Sequence, residues 1–108
     1  MWKIMAAAAG LLVLPSAAVA QAKTELMIGF LDHSGGTISQ ALGVRNNGVR
    51  PIRAVRIACR FFRYSTPLAA GSIGLEDIAP DAASYATLRV ASPRTPNRAT
   101  CHAVSVER

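Results

Sequence analysis

The sequence predicts a small all-β protein, an antiparallel β-sandwich of six or seven short strands with one disulfide, preceded by a cleavable export helix. Three observations lead there. Beyond the first twenty residues, apolar and polar side chains alternate at period two in one stretch after another, as in half-buried strands. Turn-forming clusters of Gly, Pro, Asn and Asp separate these stretches about every 8 to 12 residues, the spacing of a sandwich. Apolar residues are also unevenly spread: 16 of the first twenty, against 39 of the remaining 88. The latter fraction is ordinary for a globular domain. A chain of 108 residues holds one such domain. This composition excludes a disordered chain, a collagen-like chain and a polytopic membrane protein.

The N-terminus reads Met1-Trp2-Lys3, then an apolar run from Ile4 to Leu14, then Pro15-Ser16 and Ala18-Val19-Ala20. A basic start, an apolar middle and a small-x-small end form the layout of a secretory signal. The eleven-residue run is short of the roughly 20 residues a bilayer requires. Residues 1–20 are therefore expected to be a signal peptide and 21–108 the mature domain. A second small-x-small site at Ala20-Gln21-Ala22 leaves cleavage after Ala20 or Ala22. The alternative is a retained anchor or a buried helix. No cysteine lies near the cut, so lipid attachment there is not indicated. The Ala-rich leader points to bacterial export and a periplasmic or secreted location, with no membrane span left after cleavage.

The mature elements follow in order. Leu26, Ile28 and Phe30 alternate within a first strand over 23–30, and Asp32-His33-Ser34-Gly35-Gly36 is a loop by composition. Ile38, Gln40, Leu42 and Val44 alternate in a second strand, which ends at Asn46-Asn47-Gly48, where positive φ and a tight turn are expected. The strongest strand runs from Ile52 to Tyr64, with Val55, Ile57, Cys59 and Phe61 on one face and Ala54, Arg56, Ala58, Arg60 and Phe62 on the other. Ser65-Thr66-Pro67 is a break, and 68–75 a short edge strand interrupted by Gly71 and Gly74. Residues 84–91 alternate as a strand through Ala86, Leu88 and Val90. A helix capped by Asp81 is the weaker reading there, because Pro80 interrupts its apolar pattern. Two prolines make 92–98 a loop, and 99–106 is the last strand.

Cys59 and Cys101 are the chain's two cysteines, 42 positions apart. An oxidising compartment favours their pairing, which would lock the two layers together. Closing that loop is worth roughly 4 kcal/mol in unfolded-state entropy. The alternative is two buried free thiols. Zinc-type spacings such as Cys-x-x-Cys are absent from the sequence, so no metal site is expected, and no cofactor.

Enzyme chemistry finds little support in these residues. Asp32, His33 and Ser34 are contiguous, whereas a triad needs side chains converging from separate places. Cys101 and His102, adjacent on a strand, diverge to opposite faces. Glu76, Asp77 and Asp81 lie in a turn-rich stretch, and neither a phosphate loop nor a dinucleotide fingerprint occurs. Charge is more informative. The mature chain carries eleven basic and six acidic side chains, net +5. Arg45, Arg50, Arg53, Arg56, Arg60 and Arg63 fall in a stretch with no acid, and Arg56 and Arg60 share the outward strand face with Phe62 and Tyr64 beyond them. Guanidinium forks bind phosphate and carboxylate bidentately, and aromatic rings add stacking. Arg53, Arg56, Arg60 and Arg63 are the candidate anion- or partner-binding residues. The bland alternative is a solvated face, or an edge guarded by charge. Export argues against nucleic acid as the anion.

The middle of the chain carries a resemblance. The series Asn46-Asn47-Gly48, Pro51-Ile52, Val55, Ile57, Cys59, Phe61-Phe62, Pro67-Leu68, then Leu75, Ile78 and Pro80, and finally Cys101, resembles the FxLYD-type, immunoglobulin-like sandwich domains of bacterial envelope proteins, chiefly over residues 38–91. Phe62-Arg63-Tyr64 stands where that family has its Leu-Tyr-Asp, and Pro80-Asp81 where Pro-Gly is usual. The resemblance implies an immunoglobulin-like fold and an envelope location, and no catalytic residue. The expected function is an exported, non-enzymatic binding or accessory module that engages an envelope protein or an anionic envelope component. The alternatives are a structural subunit pairing through a hydrophobic edge such as 68–75, or a small hydrolase or inhibitor using Asp32 to Gly36.

Overall fold

The computed structural model describes residues 23–108; the expected signal peptide and its cleavage site lie outside them. Six strands follow one another: β1 (Thr24–Ser34), β2 (Thr37–Asn46), β3 (Ile52–Arg63), β4 (Thr66–Ile78), β5 (Ala83–Ala91) and β6 (Arg98–Glu107). They form two three-stranded sheets, β1-β2-β5 and β4-β3-β6, with every pairing antiparallel. The all-β, sandwich-like reading of the sequence therefore holds, with six strands. Each sheet has its most buried strand in the middle. Ile38, Leu42 and Val44 of β2 join Val55, Ile57, Cys59 and Phe61 of β3 in one buried cluster, and Leu75, Ile78 and Leu88 close its side. Burying each large aliphatic or aromatic side chain here contributes about 1.5–3 kcal/mol.

Bulges redirect the edge strands. In β1 the register passes from Ile28–Leu42 to Leu31–Gln40, so Gly29 and Phe30 both oppose Ala41. An extra residue flips the alternation. Leu31 takes the inward place that period two assigns to Phe30, which is 81% exposed instead. Gln40, buried among the apolar residues of β2, donates from Nε2 to the carbonyls of Gly29 (3.0 Å) and Phe30 (3.2 Å) and so holds the bulge. β1 then continues through Asp32, His33 and Ser34, which are strand residues rather than loop. The turn is Gly35-Gly36 alone, with φ of +59° and +75°, the paired positive values of a tight two-residue hairpin.

The link from β2 to β3 is made differently from the expected positive-φ Asn-Gly turn. Asn46 is fully buried; its Oδ1 accepts the Gly48 N–H (2.9 Å), and its Nδ2 donates to the carbonyls of Arg50 (2.8 Å) and Ile78 (3.0 Å). The side chain substitutes for a backbone turn and ties it to the end of β4. Arg108 completes this end, donating to Asn46 Oδ1 (2.8 Å) and to the Lys23 carbonyl (2.9 Å).

β4 runs 13 residues, longer than the 68–75 segment expected, because neither glycine interrupts it. A Cβ at Gly71 would lie 2.7 Å from Val90 Cγ2, so this glycine admits β5 against β4. Thr66 and Pro67 belong to the strand, with a register shift beside them, and the hairpin turn is Tyr64-Ser65. β5 is a strand, as favoured, and Asp81 caps no helix: it sits in the preceding turn at φ 63°. β6 begins at Arg98 and carries its own bulge at Val104, which turns Val106 inward instead of Ser105.

Cys59 and Cys101 form the disulfide. They stand directly opposite each other on β3 and β6, with Cα atoms 4.1 Å apart. The bond thus staples two neighbours within one sheet, correcting the expectation that it joins the layers. The layers are held by the apolar core and by the Asn46–Ile78 bond between β2 and β4. At the end opposite Asn46, the His33 ring bonds the Ser92 carbonyl through Nε2 (2.7 Å) and Thr95 Oγ1 through Nδ1 (3.0 Å). A carbonyl only accepts, so Nε2 carries the proton and Nδ1 accepts from the threonine hydroxyl.

Candidate functional site: an arginine-bearing sheet face

The outward face of the β4-β3-β6 sheet is a grid set by strand register. Its rows, read from β4 through β3 to β6, are Glu76–Ala54–Glu107, Gly74–Arg56–Ser105, Ser72–Ala58–His102, Ala70–Arg60–Thr100 and Pro67–Phe62–Arg98. Period two puts the charged residues of β3 here because Val55, Ile57, Cys59 and Phe61 occupy the inward positions. Small residues on the flanking strands leave the guanidinia of Arg56 and Arg60 standing over a low floor, and both are exposed.

Three guanidinia thus share one face. Arg98 stacks on the Phe62 ring (4.2 Å to its centroid), and Arg60 approaches the same ring from its other neighbour row (5.8 Å). Stacking holds the planar fork while leaving its N–H edge free for an anion. Arg56 donates to Ser72 Oγ (3.2 Å) and Arg98 to the Tyr64 carbonyl (3.2 Å), both neutral acceptors. The two acids of the face, Glu76 and Glu107, sit together at its far end beside Ala54. The face is consequently polarised along β3, acidic at the Ala54 row and basic from Arg56 to Arg98.

Of the four arginines expected to act together, the register unites two. Arg56 and Arg60 belong to the face. Arg53 lies exposed at the start of β3, between the Ile52–Ile78 and Ala54–Glu76 pairs, off the grid. Arg63 turns to the sandwich end, where it donates to the Thr95 carbonyl (3.1 Å) and lies over Tyr64 (5.6 Å). Arg98 and His102 join the face unforeseen. Arg98 lies beside two prolines and reads as loop, and only the β3–β6 register brings it to Phe62.

The residues considered for catalysis do not converge. Asp32 and Ser34 alternate with His33 along β1 and point away from it, and His33 is engaged with Ser92 and Thr95. His102 stands on the outward face, whereas Cys101 is in the disulfide. Among the described residues, no group of three or more His, Cys, Asp or Glu side chains could hold a metal ion. No protein-family model, curated protein or solved structure matches the chain.

Proposed function

We propose that this protein is an exported, non-enzymatic binding or accessory module of the bacterial cell envelope, which engages an anionic partner through Arg56, Arg60 and Arg98. The observation that carries the reading is the presence of three guanidinia on one open sheet face, Arg60 and Arg98 beside or stacked on Phe62 and Arg56 and Arg98 bonded to neutral acceptors. Fixed, uncompensated guanidinium forks suit phosphate or carboxylate groups carried on an extended surface. Phosphorylated headgroups and the carboxylates of wall peptides are the anions such a location offers.

An immunoglobulin-like ancestry of the FxLYD type belongs to the same proposal. The order β1-β2-β5 over β4-β3-β6 corresponds to strands A-B-E over C′-C-F of immunoglobulin-type sandwiches, with no counterpart of strand G among the described residues. The disulfide within one sheet departs from the inter-sheet bond of antibody domains.

The test is co-sedimentation of the exported protein with two defined probes, vesicles rich in anionic phospholipid and isolated peptidoglycan, at low and high salt. Binding to one of them that weakens with salt and is lost in R56E/R60E supports the reading. Binding that is unchanged by the substitutions and indifferent to salt rejects it.

A further inference from the structure

We propose that two copies of this chain pair edge to edge through β6, making one continuous six-stranded sheet. The side of the sandwich between β1 and β6 is apolar and open. Ile28 lies opposite the buried Leu42 and so points inward, yet it is 50% exposed; Val104 of β6 is equally exposed. Among the described residues β6 pairs with β3 alone, on one side, which leaves a row of its backbone N–H and C=O groups free there.

That free edge is complementary to itself. The 4.1 Å Cα separation of Cys59 and Cys101 marks a pair that exchanges no hydrogen bonds. The N–H and C=O of Cys101, and by period two those of Ala99 and Ala103, therefore point away from β3. The Val104 bulge shifts the alternation, so Val106 takes the same outward direction. An antiparallel β6–β6 pair with its two-fold axis at His102 sets Cys101 against Ala103 of the second copy, and Ala99 against Val106. The outward-directed bonding groups of all four residues in each β6 are then used, because the shift occurs once in each copy. The same register puts Thr100 opposite Ser105 and, on the outer face, Arg98 opposite Glu107 of the second copy, twice per dimer.

Every cross-pair joins residues on the same face, and the only charges meet as opposites. The β1 edges come side by side in this arrangement, and each Ile28 gains cover from the other. The occupant is a second copy because complementarity of charge, face and bonding direction all arise from one strand's own sequence. Of the other edge strands, β4 contains Pro67, which offers no N–H for pairing.

Sedimentation equilibrium of the exported, disulfide-bonded protein reads the assembly directly, independently of any anion binding. The wild type is expected to dimerise. R98E or E107R, each setting like charges together at two places, should weaken association about tenfold or more, and R98E/E107R should restore it. A103P removes a free-edge N–H without touching the β3–β6 ladder, so it should abolish the dimer while leaving the far-UV circular dichroism and melting temperature of a folded monomer. A wild type that stays monomeric at all concentrations, a double variant no better than the single ones, or a folded A103P dimer overturns the proposal.

Discussion

The two sheets share a core and an architecture but are secured by different chemistry. In β1-β2-β5 the irregularities are managed by buried amides: Gln40 holds the Gly29–Phe30 bulge, and Asn46 replaces a turn. In β4-β3-β6 the central strand is bonded covalently to its neighbour through Cys59 and Cys101. Their outer faces differ as sharply. Over β2, Tyr85 and Met27 lie across Gly43, forming a shallow apolar pocket of about 340 Å³. Over β3 stand Arg56, Arg60 and Arg98. A covalent staple under a crowded basic face is physically sensible, since like charges on one sheet favour separation of its strands and a disulfide opposes that without relying on packing.

Removing the staple is the largest expected perturbation. C59A/C101A should lose about 4 kcal/mol in urea unfolding, the entropy of closing the loop between β3 and β6. A loss below about 1 kcal/mol would mean that the second sheet is held by packing as the first is. Asn46→Ala comes next. It strands the Gly48 N–H and the Ile78 carbonyl inside the protein, and about 2–3 kcal/mol should disappear. An effect under about 0.5 kcal/mol would show the amide hub to be dispensable.

Two glycines sharpen the contrast between inside and outside. Gly71→Ala forces a methyl group against Val90 in the seam between β4 and β5, and about 1–2 kcal/mol should be lost. Gly43→Ala meets the Tyr85 ring at 2.7 Å, but that ring is 69% exposed and free to swing aside, so thermal unfolding should report a smaller change than for Gly71→Ala. Smallest of all should be R56E/R60E, within about 0.5 kcal/mol of wild type, because both side chains are exposed and bonded at most to a surface hydroxyl.

Much of this was legible in the residues themselves. Period two marked the inward faces of β2 and β3 because these central strands are regular over their apolar stretches, and it placed Cys59 among the core residues. The edge strands resisted the same reading. A bulge depends on backbone hydrogen bonds to a partner, so nothing in Gly29-Phe30 or Ala103-Val104 announces the flip that turns Phe30 outward and Val106 inward. The arginine face was half visible for a related reason. Alternation along one strand selects Arg56 and Arg60, but adding Arg98 requires knowing that β6 lies beside β3, a pairing 36 residues apart between Phe62 and Arg98. The disulfide was visible as a pair and invisible as a geometry, since spacing does not say whether two strands are neighbours or lie in opposite layers.

The proposed role of the basic face is tested most directly by titrating anionic vesicles and isolated peptidoglycan with wild type, R56E/R60E and the distant charge reversal R53E/R89E, all matched for melting temperature, over a range of salt. Loss of salt-sensitive binding in R56E/R60E, with R53E/R89E close to wild type, is the expected result. Equal loss in both variants would mean that net charge rather than this face governs attraction, and retention of binding by R56E/R60E would contradict the assignment.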